Sequence, residues 1–226
     1  MLTRMWILIL NRFRSHVLRT PIRDVDHSDQ TVAGALLFVG AVIFIIGLNV
    51  AEQLYPGYSV SLNYISDLGA TCRGTTCHIV QPSATIFNSS IFLTGVLLIS
   101  SAYFIRRGFR TRVLPAFLAL AGVGAMGVGI FPEYTGYFHY AAAFIAFAFG
   151  GLSAIAAYTI EKPPLRYLSV LLGIVTLTAF VLAISHHDLG LGPGGMERMI
   201  AYPFVLWGLG FGGYLMQSCS KEQTKE

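Results

Sequence analysis

The stretch Thr31–Val50, TVAGALLFVGAVIFIIGLNV, runs for twenty residues without an Asp, Glu, Lys or Arg. A helix rises 1.5 Å per residue, so this segment is about 30 Å long, the depth of a bilayer's hydrocarbon core. Five further stretches share its length and character: Ala84–Ile105, Val113–Phe131, Tyr140–Ile160, Tyr167–Ser185 and Met199–Met216. None carries a charged residue in its middle, where an ionised group costs several kcal/mol. The pattern predicts an all-α polytopic membrane protein, a bundle of six transmembrane helices.

Composition leads to the same class. Of 226 residues, 54% are hydrophobic and 12% charged, with a mean hydropathy of +0.64. An average soluble domain carries about 25% charged residues, so this chain has too few to cover a water-facing surface. High apolar content excludes disorder, and three cysteines are too few for a disulfide-built secreted scaffold. Residues 31–216 are read as one membrane domain, preceded by a basic segment at 1–30 and followed by a tail at 217–226.

Charge assigns the sides. With a cytoplasmic N-terminus, that side holds Arg4, Arg12, Arg14, Arg19, Arg23, Arg106, Arg107, Arg110, Arg112, Lys162, Arg166, Lys221 and Lys225. Only Arg73 and Arg198 face outward. Such a bias predicts that both termini are cytoplasmic and the protein sits in the cell membrane. The basic residues flank spans rather than a nucleic-acid-reading surface, so membrane lipids, and no nucleic acid, are the expected partners. The apolar run Met5–Leu10 is too short for a signal peptide. The arginines around it, with Trp6 and Phe13, suit either an interfacial amphipathic segment or a disordered basic tail.

The outward loops carry the polar chemistry. The first, 51–83, is too long for a simple turn and contains Cys72 and Cys77, five positions apart. A disulfide on an oxidising face is expected; the alternative is a metal pair with His78. Within the same loop Asn63, Ser66 and Asp67 stand at i, i+3 and i+4, opposite Leu62, Ile65 and Leu68, and Gly69 is placed to end the turn. This short amphipathic piece directs its polar face into the bundle, or else Ser66 and Asp67 only pin the loop. Small residues such as Gly34, Gly40, Gly47, Gly122, Gly129, Gly208 and Gly212 predict close helix packing. Pro203 should bend the last helix.

The other outward loops add Glu133, His139, His186, His187, Asp188, Glu197 and Arg198. Three chemistries could use them. Zinc would draw on His139, His186 or His187, Asp188 and Glu133, although the HxxxH and HExxH spacings are absent. Nucleophilic catalysis would pair Ser66 with His139 or His187 as general base, oriented by Asp67 or Asp188. Head-group recognition would use Arg198 with Asn63, Asn88, Glu133 and Glu197. The structural alternative is an ion pair from Arg198 to Asp188, Glu133 or Asp67.

The run Gly194-Gly195-Met196-Glu197-Arg198-Met199-Ile200-Ala201-Tyr202-Pro203, with Leu206-Trp207 and Gly212-Gly213-Tyr214-Leu215, resembles the signature of an archaeal membrane family, domain of unknown function 998. Asn63–Gly69, Phe87-Asn88 and Phe131-Pro132-Glu133 with His139 resemble it too, so the likeness spans about Gly34 to Leu215. That family is distantly similar to six-span proteins of the GPI-anchor lipid-remodelling and damage-regulated autophagy modulator type. The resemblance implies a six-helix bundle and a link to membrane lipids, and it carries over no catalytic residue. Binding or hydrolase and transferase chemistry on lipid head groups is the leading expectation. Solute transport, through groups such as Asn88, Ser89 and Ser90, and a purely structural subunit are the alternatives.

Overall fold

Long apolar runs with few helix-breaking residues become six helices: α1 His27–Gln53, α2 Ser83–Gly108, α3 Val113–Ile130, α4 Tyr137–Ala156, α5 Leu165–Ile184 and α6 Gly192–Ser220. The computed structural model of the chain describes residues 27–73 and 76–220. The interfacial reading of the N-terminal segment and most of the tail lie outside the described residues. All six helices are long and apolar enough to cross a membrane. Large apolar side chains at mid-helix, including Ile46, Val123, Leu171 and Leu206, are more than half exposed on the bundle's outer surface. A water-soluble monomer rarely shows such a belt, whereas lipid tails cover it without cost.

Each helix packs on the next in chain order, and α6 closes the ring against α1. Glycines make the seams. A Cβ at Gly34 would lie 2.5 Å from the Gly212 carbonyl, one at Gly95 2.5 Å from the Gly122 carbonyl, and one at Gly173 2.6 Å from the Gly151 carbonyl. These backbones approach because no side chain separates them, the packing mode that suits lipid. The helix α6 runs through Pro203.

One end of the bundle is basic: it carries the α2–α3 and α4–α5 connections with Arg106, Arg107, Arg110, Arg112, Lys162 and Arg166. The core is filled near this end by Leu37, Ile105, Leu114, Leu118, Trp207, Phe211 and Leu215. Phe204, Trp207, Phe211 and Tyr214 form a stacked ladder along α6. At the opposite end, Phe44, Leu48, Ile65, Leu68 and Phe87 form a second cluster beneath the long α1–α2 connection.

That connection folds into a 3₁₀ turn at Ser66–Leu68 and a hairpin of β1 Thr71–Arg73 with β2 Thr76–His78, the two strands among the described residues. Cys72 opposes Cys77 in the register, and their sulfurs lie at disulfide distance. The expected apolar face is split. Ile65 and Leu68 are buried, but Leu62 is 67% exposed because the chain is not yet helical there. Gly69 is right-handed (φ −82°), so it does not end the turn by a left-handed conformation. Its missing Cβ matters for another reason: the Asn88 amide oxygen would lie 2.3 Å from it.

The largest departure from the sequence reading is the start of α6. The helix begins at Gly192, about two turns ahead of the span that hydropathy marks from Met199. Glu197 and Arg198 are therefore helical residues pointed by that register into the hairpin end, rather than loop residues.

Candidate functional site

Arg198 is 5% exposed, and both its terminal nitrogens are engaged within the protein while Nε is buried without a partner. One terminal nitrogen donates to the carbonyls of Val60 and Gly194 at 2.9 Å each, and more weakly to that of Asn63. The other donates to the Glu52 carboxylate at 2.5 Å and the Tyr58 hydroxyl at 2.9 Å. The guanidinium also lies over the Tyr58 ring. The ion pair expected with Asp188, Glu133 or Asp67 is instead made with Glu52, the last acid of α1. Burial holds the Tyr58 phenol above its usual range, against the opposing pull of Arg198. Arg198 thus ties α6, α1 and the long connection together.

The connection is pinned from within as well. The Asp67 carboxylate accepts from the Asn63 amide at 2.8 Å and from the Tyr64 N–H at 3.1 Å. The Asn63 side-chain oxygen accepts from Ser59 N–H at 3.0 Å. Asn88, on α2, donates to the Gly69 carbonyl at 3.4 Å. So Asn63, Asp67, Asn88 and Arg198 come together around the 3₁₀ turn, with their polar atoms turned largely toward the backbone.

Beside them lies a cavity of about 550 Å³. Helical spacing builds its walls: Tyr140, Ala143, Phe144 and Phe147 on α4, Phe180, Ala183 and Ile184 on α5, and Pro193, Glu197 and Ile200 on α6. Ser66, Tyr64, Glu133, His139 and His186 add polar groups at its hairpin end. A smaller space of about 50 Å³ continues inward past Ser66, His139 and Glu197 and is bounded by Phe44, Phe87, Ile91 and Val128. Tyr140, Phe144 and Ile184 are all more than half exposed, so the rim opens sideways between α4 and α5.

Local sequence explains how each polar group reaches the cavity. Pro132 starts the turn Glu133–Thr135, and Gly136 (φ +59°) reverses the chain into α4, a conformation that favours glycine. Glu133 is thereby turned toward the hairpin, where its carboxylate accepts from Cys72 N–H at 2.9 Å. His139 falls in the first turn of α4, and its Nδ1 lies 2.8 Å from the Phe131 carbonyl. That carbonyl can only accept, which assigns the proton to Nδ1 and leaves Nε2 as an acceptor. The Glu197 carboxylate accepts from Ile65 N–H at 2.5 Å.

The two adjacent histidines part company at the end of α5. His186 N–H bonds to the Ala183 carbonyl and His187 N–H to the Leu182 carbonyl, with His186 left-handed (φ 58°). This is a Schellman closure, and it turns the two rings apart. His186 lines the cavity; His187 and Asp188 are exposed and do not. Asp188 instead accepts from Gly190 N–H at 3.0 Å, shaping the turn into α6. Among the described residues no three His, Cys, Asp or Glu side chains gather as a metal-ligand set.

Of the ten candidate catalytic and binding positions, Ser66, Glu133, His139 and Glu197 line the cavity. Asn63, Asp67, Asn88 and Arg198 form its structural collar. The apolar walls and the Glu52–Tyr58–Arg198 contact escaped sequence reading, since both depend on which helix faces meet. The i, i+3, i+4, i+7 spacing of Tyr140, Ala143, Phe144 and Phe147 was visible, but it is shared by every lipid-facing stripe.

A buried polar group also lies at the basic end. Glu161 is fully buried, and burial pushes its carboxyl above the usual carboxylate range. Its carbonyl accepts a forked pair of bonds from Arg166, at 2.9 and 2.8 Å.

No curated protein and no solved structure matches the chain. A family profile described as "Protein of unknown function (DUF998)" matches residues 38–213, which takes in most of the first and last helices, the four between them and every residue of the cavity. Sequence and architecture therefore meet in one statement: this chain, with six helices able to span a membrane, belongs to the DUF998 family.

Proposed function

We propose that this is an integral protein of the cell membrane, its hairpin end outside and both termini cytoplasmic, and that the cavity binds a membrane lipid. The observation that carries the reading is the cavity's composition. Aromatic and aliphatic walls on three helices end in a cluster of Ser66, Glu133, His139, His186 and Glu197, and the rim opens toward where lipid would lie. A mostly apolar cavity with a few convergent polar groups is the usual form of a ligand site.

The polar groups also select the head group. The cavity lining contains two carboxylates and two imidazoles but no lysine or arginine. Arg198, the cation expected to grip a phosphate, directs both terminal nitrogens to Glu52, Tyr58 and backbone carbonyls. An acceptor-rich pocket suits a head group that donates hydrogen bonds, a polyol or an amine, in preference to an exposed phosphate. The inner extension ends against Phe44, Phe87 and Ile91, which suits the tip of an acyl chain better than a permeation path.

Native mass spectrometry of the full-length protein extracted from its membrane tests this reading. Wild type is expected to retain hydroxyl- or amine-headed lipid. Ala143→Phe, which fills the cavity, is expected to lose roughly tenfold of it while eluting as a folded species. Equal lipid retention by a folded Ala143→Phe protein would overturn the proposal. A catalytic reading is favoured by His139, whose Nδ1–H···O=C bond presents Nε2 as a base. Turnover of the retained lipid that disappears in His139→Asn would support it.

A further inference from the structure

A second trough lies at the other end of the molecule, between α2 and α3. The helices are locked together where a Cβ at Gly122 would lie 2.7 Å from the Gly95 carbonyl and 2.8 Å from the Ile99 side chain. Toward the basic end from that seam, their surfaces line a groove of about 640 Å³. Ile99, Ala102 and Arg106 face it from α2, at i, i+3 and i+7. Ala116 and Ala119 face it from α3, and Arg112, the residue just before that helix, faces it from the connection. From Ile99 to Arg106 is seven helical steps, about 10 Å. Short alanine side chains hollow the trough, and an arginine closes it on either side at the same end.

Charge decides what fits. Arg106 and Arg112 are both exposed, and neither is paired with a carboxylate among the described residues. Asp29, a buried acid at this end of α1, is taken by Arg107 at 3.0 Å. Arg107 also lies over the ring of Tyr103, a residue of the trough wall, and its charge is met by Asp29. Glu161, within the α4–α5 connection, is buried instead. Two unneutralised guanidiniums above an apolar slot match one kind of molecule. A phosphate would take forked bonds from the arginines, while the first part of an acyl chain lies along Ala102, Ala116 and Ala119.

We propose that this trough is a binding site for an anionic phospholipid of the leaflet at the basic end. The site is separate from the hairpin-end cavity and shares no lining residue with it. It uses the same membrane reading, with the arginines at the head-group level of the cytoplasmic leaflet.

The full-length protein, delipidated in detergent, is titrated with phosphatidylglycerol, phosphatidylcholine or glycerol 1-phosphate, and bound molecules are counted by native mass spectrometry. Phosphatidylglycerol should bind roughly tenfold tighter than phosphatidylcholine, and that preference should vanish in the double variant Arg106→Gln/Arg112→Gln. Arg110→Gln, in the same connection but outside the trough, should bind like wild type. Ala119→Leu, which fills the slot and keeps both arginines, should weaken the phospholipid and spare glycerol 1-phosphate. An equal loss in Arg110→Gln would reduce the site to diffuse surface charge and overturn the proposal. So would glycerol 1-phosphate binding as tightly as phosphatidylglycerol, or full binding by a folded double variant. Ala143→Phe leaves this trough intact, so failure here and failure of the outer lipid site are separately readable.

Discussion

Arg198 Nη2 lies 2.5 Å from Glu52 Oε1, and this contact joins the first and last helices of the ring across 146 positions of sequence. Both side chains are largely withdrawn from solvent, at 6% and 16% exposure. Removing one partner leaves the other charge buried and orphans the carbonyls that Arg198 serves. Glu52→Ala or Arg198→Met should therefore cost about 3–5 kcal/mol. The check is the thermal midpoint in detergent. Arg198→Lys should recover only part of the loss, because an ammonium cannot reproduce the planar fork.

His139 can be tested for the separate contributions of its two nitrogens. His139→Asn retains an N–H donor able to meet the Phe131 carbonyl and should keep near-wild-type stability. His139→Phe orphans that carbonyl at a buried position and should cost about 1–3 kcal/mol. Unfolding midpoints distinguish the two variants, and lipid retention should fall in both because the Nε2 acceptor is gone from each.

Glu161 predicts a pH effect at the opposite end. Its folded-state carboxyl titrates above the unfolded one because burial disfavours the charge. The folded protein thus binds more protons than the unfolded chain as pH rises from about 4.5, so stability is greatest below that value and declines up to the folded value. Glu161→Gln should abolish this decline. Unfolding midpoints measured near pH 4 and near pH 8 should converge in the variant relative to wild type.

The Cys72–Cys77 pair closes a short loop on the hairpin. Loop-closure entropy for so small a ring is worth about 2 kcal/mol. Cys72→Ser with Cys77→Ser should loosen the hairpin, which protease sensitivity after Arg73 would report, and should leave the six-helix core intact. Non-reducing mass spectrometry with alkylation should label only Cys219 in the wild-type protein.

Cavity and collar illustrate how much was legible in the sequence. The six spans could be read from Thr31–Val50 and its counterparts because burial in lipid demands a continuous apolar length, a one-dimensional property of the chain. The glycines that seam Gly34 to Gly212 and Gly95 to Gly122 were legible for a similar reason: close approach needs a missing side chain wherever the partner lies. Residue types at the hairpin end were visible, and Ser66, Glu133, His139 and Glu197 do converge on one cavity. The roles of their neighbours were not visible.

Tertiary structure decided those roles. Glu52 and Arg198 meet only because α6 begins at Gly192 and closes the ring against α1. Hydropathy is blind to that start, since Met196–Arg198 reads as polar loop while the folded protein supplies the partners that let it be helix. His186 lines the cavity and His187 does not because His186 is itself left-handed and reverses the chain just after α5 ends. Sequence by itself determined the six helices long and apolar enough to cross a membrane and the basic residues that flank them. Which charges are spent inside the fold, and which remain for a ligand, depends on distances between helices, and those exist only once the ring has closed.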